Sequence, residues 1–206
     1  MKKVISSITI DLLRHGECEG GAIFRGTFDA LLSERGLQQM QDKCHQANTQ
    51  WDAIFSSPLK RCAEFAQTWS EDSRSTFKID ERLREMSFGE WEGQLIEDVM
   101  VQDTDRFKQW QLDPNLHTPP NGEPLTKVQH RALDVVRSVE QNHQNKHVLL
   151  ICHGGLIRVL LASLLEIPLA KCKVFDVPYA CISRIAIYQW DDGRRDIKLL
   201  AHNLSS

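Results

Sequence analysis

Apolar residues along this chain occur in two kinds of run. Val148 to Ile151 is unbroken and Ile8 to Leu13 nearly so, which predicts strands over 8–13 and 147–152 buried on both faces. Elsewhere apolar residues recur three and four apart. Leu37, Met40, Cys44 and Ala47 follow Ser33, a good capping residue, and predict a helix. Leu59, Cys62, Ala63, Ala66 and Trp69 form the stripe of a second, with Ser57 as its cap and Pro58 at the first helical position. Short strands are expected at 52–55 and 76–79.

From Arg82 to Pro124 the pattern weakens. Short helical stretches at 96–100 and 105–111 lead into the loop residues Leu112-Asp113-Pro114-Asn115 and Thr118-Pro119-Pro120-Asn121-Gly122. Helices over 125–141 and 156–165 flank the second buried strand, the former with Val128, Leu133, Val136 and Val139 inward. Two strands, 182–189 and 196–201, joined at Asp191-Asp192-Gly193, end the chain. Strands alternating with helices predict an α/β fold: a mostly parallel central sheet covered on both sides, with an antiparallel addition at its C-terminal edge. No repeat, low-complexity tract or linker divides the chain. Residues 1–206 are therefore expected to be one domain, with an inserted lid-like excursion at about 86–124.

Composition narrows the function. A chain of 206 residues is long enough for one good-sized α/β domain, and its net charge of -3 leaves no electrostatic footprint for nucleic acid or an anionic membrane surface. Basic character must be local. Cys18, Cys44, Cys62, Cys152, Cys172 and Cys181 include no CxxC pair and no zinc-like spacing, and read as reduced thiols of a cytosolic protein. Ser6, Ser7, Thr9 and Asp11 break any signal-peptide core after Lys2 and Lys3, and the apolar stretch 156–165 is interrupted by Arg158 and Ser163. A cytoplasmic protein without membrane or nucleic-acid partners is expected; the sequence does not specify an oligomeric state.

Candidate chemistry starts where the first strand stops, at Arg14-His15-Gly16. Arg61 lies in the first turn of the second helix, Glu85 in a loop rich in glycine and aromatics, and Cys152-His153-Gly154-Gly155 follows the second buried strand. Ligands of open α/β sheets sit outside the carboxyl ends of the strands, where these residues emerge. Two guanidiniums can grip phosphoryl oxygens and spread transition-state charge. A neutral imidazole, His15, can take up the phosphoryl group if a backbone carbonyl fixes its tautomer. His153 is read as a further donor, best when protonated, and Glu85 as the general acid. Neither metal nor cofactor is required.

The motifs Leu13-Arg14-His15-Gly16-Glu17, Leu32-Ser33-Glu34-Arg35-Gly36, Ser56-Ser57-Pro58-Leu59-Lys60-Arg61-Cys62, Leu83 to Gly93, Asn121-Gly122-Glu123 and Cys152-His153-Gly154-Gly155 span nearly the whole chain. In this order they resemble the histidine phosphatase, or phosphoglycerate mutase-like, superfamily. The resemblance implies a three-layer α/β/α sandwich, His15 as the phosphorylated nucleophile, Arg14, Arg61 and His153 around the phosphate, and Glu85 as proton donor. Arg25 and Gly26 stand where members close a loop over a small phosphomonoester substrate. The stretch Glu85 to Gly93 and the chain length are similar to alpha-ribazole phosphatases, which makes alpha-ribazole 5′-phosphate the expected substrate. Broad-specificity phosphatases share a related stretch. Gly21 departs from the pattern, standing where many members carry an asparagine, so that contact is not carried over.

Two other functions compete: a mutase that returns the phosphoryl group, and a catalytically idle phospho-ligand binder or scaffold. Phe107, Trp110 and the Pro-rich 114–124 read equally as a lid over a flat leaving group or as the small core of the excursion. Trp91 reads as packing, Cys18 and Cys152 as fillers beside the site, and His143 with His147 as a solvated turn.

Overall fold

The structure is a computed structural model that describes residues 2–204. Its strands are β1 (Val4–Arg14), β2 (Ala53–Ser56), β3 (Thr76–Ile79), β4 (His147–Cys152), β5 (Ile182–Trp190) and β6 (Arg195–Ala201). They form one sheet in the order β3-β2-β4-β1-β5-β6. The first four of that order run parallel, and β5 and β6 add antiparallel beyond β1. The mixed sheet and its antiparallel edge are as the alternation predicts.

Alternation along β1 divides the core. Ile8, Ile10 and Leu12 face one side, where α5 (Leu125–Asn142) and α6 (Gly154–Leu164) pack through Val128, Val135, Leu156 and Leu160. Leu13 faces the other, where α1 (Glu34–Ala47) and α2 (Lys60–Ser73) contribute Met40, Cys44, Phe65 and Ala66. A layer of helices thus covers each face, giving the α/β/α sandwich.

Ser33 caps α1 as expected, its side chain accepting from the Gly36 amide. Ser57 does not cap α2. That helix begins at Lys60 with Leu59 as N-cap and no side-chain capping bond; the Ser57 hydroxyl instead accepts from the Leu59 amide at 3.3 Å and from His153 at 2.7 Å. Leu133 is half-buried rather than inward, since Ala132 and Val135 occupy the face of α5 turned to the sheet.

His147 is not in a solvated turn either. It opens β4, and its Nε2 lies 3.0 Å from the Asp11 carboxylate. Asp11 is fully buried between β1 and the α1/α2 layer, accepting from Arg184 through both oxygens and from Trp51 Nε1 at 2.9 Å.

The weakly patterned middle contains α3 (Ile96–Gln102) and α4 (Thr104–Leu112). They have their own small core of Phe24, Trp91, Val99 and Phe107, which favours packing over ligand contact for Phe107 and Trp91. Trp110 packs at the edge of this cluster.

Candidate active site

Every candidate catalytic residue reaches the carboxyl edge of the parallel strands. Arg14 ends β1 beside Cys152 at the end of β4, Arg61 is in the first turn of α2, and His153 is the N-cap of α6. With Glu85 and His15, Arg14 and Arg61 line a cleft of about 490 Å³; His153 lies behind it, fully buried, its ring centroid 5.2 Å from that of His15.

Nδ1 of His15 lies 2.7 Å from the Gly16 carbonyl. A carbonyl can only accept, so Nδ1 carries the proton and Nε2 holds the lone pair. Burial, reinforced by the charges of Arg61 and Arg14, pushes the His15 pKa well below its usual value. The neutral, nucleophilic form is therefore favoured.

His153 differs from its expected state. Arg61 Nε donates to its Nδ1 at 3.3 Å, so its Nε2 bears the proton and donates to Ser57 Oγ at 2.7 Å. Burial, the Arg61 charge and His15 all hold it neutral. A protonated His153 would set a cation against a guanidinium in a dry site; only an arriving anion changes that balance.

The guanidiniums are held by backbone carbonyls. Arg61 donates to Gly26 and Phe28 oxygens at 2.7 Å each, and Arg14 to the Val177 carbonyl at 2.6 Å with its plane 4.2 Å from the Tyr179 ring centre. Nε of Arg14 is buried without an acceptor among the described residues. An anionic ligand would supply one.

Arg25 and Gly26 line the cleft in different ways. Arg25 turns its Nη2 back onto the carbonyls of Cys18, Glu19 and Gly21, tying down the loop after His15. Gly26 acts through its carbonyl on Arg61. Its φ of 48° and a Cβ position 2.2 Å from Glu92 Oε1 both require glycine there.

Glu85 sits across the N-terminus of α6, accepting from the amides of Met86, Gly155 and Leu156 at 3.0 Å each. A side chain at 155 would strike it, the Cβ position being 2.7 Å from Oε1. The glycine pair after His153 thus lets a carboxylate and Arg14 close on one helix end.

Sequence reasoning missed five contributors. Ser57 reads as a cap but bonds His153, Tyr179 stacks on Arg14, and Glu92 accepts from Thr27 and Phe88 to hold the 24–28 loop. Arg158 reads as a break in an apolar run yet lines the cleft with Lys173. Helical spacing from Gly154 offers a signal for Arg158. Among the described residues no cluster of three or more His, Cys, Asp or Glu side chains is placed to hold a metal ion, and no helix is long and apolar enough to cross a membrane.

An α/β/α sandwich with a histidine-centred, arginine-rich cleft at the ends of its parallel strands defines a class of proteins that handle phosphate esters. The chain belongs to the histidine phosphatase superfamily (branch 1), whose family pattern matches residues 10–203. It is 30% identical over 181 residues to phosphoserine phosphatase 1 of Hydrogenobacter thermophilus, covering 86% of each chain. It is 28% identical over 182 residues to the adenosylcobalamin/alpha-ribazole phosphatase of Escherichia coli, covering 86% of this chain and 89% of the relative. The structure of a mycobacterial glucosyl-3-phosphoglycerate phosphatase superposes with a TM-score of 0.85 at 25% identity, over 96% of this chain and 99% of that one.

Proposed function

We propose that this phosphatase hydrolyses a small phosphomonoester through a phosphohistidine on Nε2 of His15, with no metal or cofactor. The supporting observation is the bond from His15 Nδ1 to the Gly16 carbonyl, which leaves the nucleophilic lone pair on Nε2. Nε2 attacks phosphorus and the bond to the alcohol oxygen breaks, Glu85 giving that oxygen its proton. Water then attacks the phosphohistidine, the P–N bond breaks, and Glu85 recovers a proton as inorganic phosphate forms. Arg14 and Arg61 hold the phosphoryl oxygens, His153 backs Arg61 from behind the cleft, and Arg25 and Gly26 fix the loop over them.

Rapid-quench labelling with a radioactive phosphomonoester tests this. An acid-labile phosphoenzyme that disappears in His15→Ala is expected. No label in the wild type under conditions where the ester binds would sink the mechanism and leave a phospho-ligand binder or scaffold. Phosphate release that needs a bisphosphorylated primer would instead indicate a mutase.

For the leaving alcohol we propose the uncharged riboside of alpha-ribazole 5′-phosphate as the first candidate. The apolar aromatic rings of Phe24, Phe88 and Trp110 that line the cleft favour it, as does the similarity to the Escherichia coli relative. If that ester turns over far more slowly than sugar phosphates, the assignment is dropped. A second reading, an anionic alcohol, is favoured by Arg158 and Lys173.

A further inference from the structure

The guanidinium of Arg14 is aimed by the segment 175–180, which leads into β5. Val177 gives its carbonyl to Nη1 at 2.6 Å, and the Tyr179 ring centre lies 4.2 Å from the guanidinium carbon and 5.9 Å from the His15 ring centre. With Nη1 held in this way, the buried Nε, which has no acceptor among the described residues, is left for a phosphoryl oxygen.

The segment does not hold its own shape. Among the described residues the amides of Asp176, Val177 and Tyr179 donate to no backbone carbonyl. The segment ends in a turn closed from the Cys181 amide to the Pro178 carbonyl at 3.1 Å, in which Ala180 has a φ of 55°. That left-handed conformation is costly for a residue with a Cβ and persists only where the surroundings enforce it.

Val177, fully buried in the core, anchors the inner side of the segment. His202 anchors the outer side. Its Nε2 lies 2.7 Å from the Asp176 carbonyl and so bears the proton, which leaves Nδ1 to accept from the Ser183 hydroxyl at 2.9 Å. Ser183 is fully buried on β5, and the Phe175 ring meets the imidazole edge-to-face at 5.7 Å. Both ring nitrogens are engaged. The chain beyond β6 is itself tied down beside β5, the Leu204 amide donating to the Ile182 carbonyl at 3.0 Å.

We propose that His202 is a positioning residue of the phosphate site: by bonding the Asp176 carbonyl it sets Val177 and Tyr179, and through them the tilt of Arg14. Its kinetic consequences rest on the phosphatase reading above, whereas phosphate binding reads Arg14 directly. Charge-assisted bonds from a planar guanidinium depend on direction, so a small displacement of the segment weakens them.

The test measures inorganic-phosphate binding by calorimetry, with kcat and KM for p-nitrophenyl phosphate, in His202→Ala and His202→Gln. Asp11→Asn serves as a variant destabilised away from the cleft. His202→Ala should weaken phosphate binding and lower kcat/KM by about tenfold, and His202→Gln, which keeps a donor near the position of Nε2, should recover most of both. In an Arg14→Lys background, which lacks the planar group that Val177 and Tyr179 orient, His202→Ala should weaken phosphate binding by less than about twofold more. If His202→Ala does not fold, His202→Phe keeps the packing on Phe175 without either hydrogen bond and carries the same expectations. A folded variant that binds phosphate as tightly as the wild type overturns the proposal. So does a loss that recurs in full in the Arg14→Lys background or is matched by Asp11→Asn, since His202 would then act on stability alone. Weaker phosphate binding in His202→Ala, from a wild type that forms no phosphoenzyme, removes the phosphatase reading and leaves the positioning role standing.

Discussion

Arg61 donates to His153 through its guanidinium Nε, at 3.3 Å from the imidazole Nδ1. The bond fixes His153 as a neutral ring, and His15 beside it is neutral for the same reason of burial near arginine. Both histidines are therefore expected to remain unprotonated as pH falls through 6.5, the ordinary value. Their ring carbons should show no NMR titration there, and saturation with inorganic phosphate should move both titrations upward. The unfolded chain protonates these rings near 6.5 and so binds more protons than the folded one below it. Stability consequently rises with pH through that window and falls as pH drops under it, which denaturant melts at pH 7.5 and 5.5 will read.

Ser57 holds the other nitrogen of the same ring. Ser57→Ala leaves a buried N–H without an acceptor, an expected stability loss of about 1–3 kcal/mol. It also frees His153 to rotate away from the phosphate site. A fall in kcat/KM of about tenfold or more, partly restored by Ser57→Thr, is expected from lost positioning. Unchanged kinetics in a folded Ser57→Ala protein would remove Ser57 from the site.

Glu92 is the outer support of Arg61. Its Oε1 accepts from the Thr27 and Phe88 amides at 3.0 and 2.9 Å, and its Oε2 from Thr27 Oγ1 at 2.7 Å. Glu92→Ala therefore loosens the loop whose Gly26 and Phe28 carbonyls aim the guanidinium. About 1–3 kcal/mol is expected for each amide left unpaired inside, together with weaker inorganic-phosphate inhibition. A variant that binds phosphate as tightly as the wild type would show that the loop does not depend on this carboxylate.

The buried Asp11 cluster lies away from the cleft and gives a test of stability alone. Burial opposes its charge, but bonds from Arg184 and His147 outweigh that and hold its pKa below 3.8. A depressed carboxylate contributes stability above its unfolded pKa and loses it as pH falls through the folded one. Asp11→Asn should remove that acid-range dependence. It should also lower stability at neutral pH by about 3–5 kcal/mol, since Arg184 loses its partner. Activity per folded molecule should be unaffected, which a comparison of denaturant midpoints with specific activity at low temperature will check.

Arg14, His15, Arg61 and His153 were legible because each stands at a strand end or helix start, where sequence pattern alone fixes the edge of the sheet, whereas Glu85, in a loop, was legible through the motif Leu83 to Gly93. Ser57 was not. Its partner is 96 residues away, and Ser before Pro is indistinguishable from a helix cap until β4 brings His153 alongside. Tyr179 and Glu92 were hidden for a related reason: their roles are contacts with loops, which carry no periodicity. His147 opens the strand expected at 147–152, but its side chain reads as solvated because Asp11, the charge that draws it inward, looks like a break in an apolar strand. The sheet and both helical layers followed from alternation, whereas the contacts that aim the arginines depend on loop carbonyls.

Glu85 is the residue whose variant separates the two halves of the proposed reaction. Its oxygens face three backbone amides, and glutamine can satisfy them in part with its carbonyl while offering no acidic proton. For Glu85→Gln, esters of poorly leaving alcohols should lose about 10²–10⁴-fold in rate. p-Nitrophenyl phosphate, whose leaving group needs no proton, should form the phosphoenzyme at nearly the wild-type rate and then stall, because water attack on the phosphohistidine also needs the carboxylate as base. A burst of p-nitrophenol equal to the enzyme concentration, followed by slow turnover, is the expected trace. Equal slowing of both steps for both kinds of ester would assign Glu85 to holding the α6 helix end rather than to proton transfer.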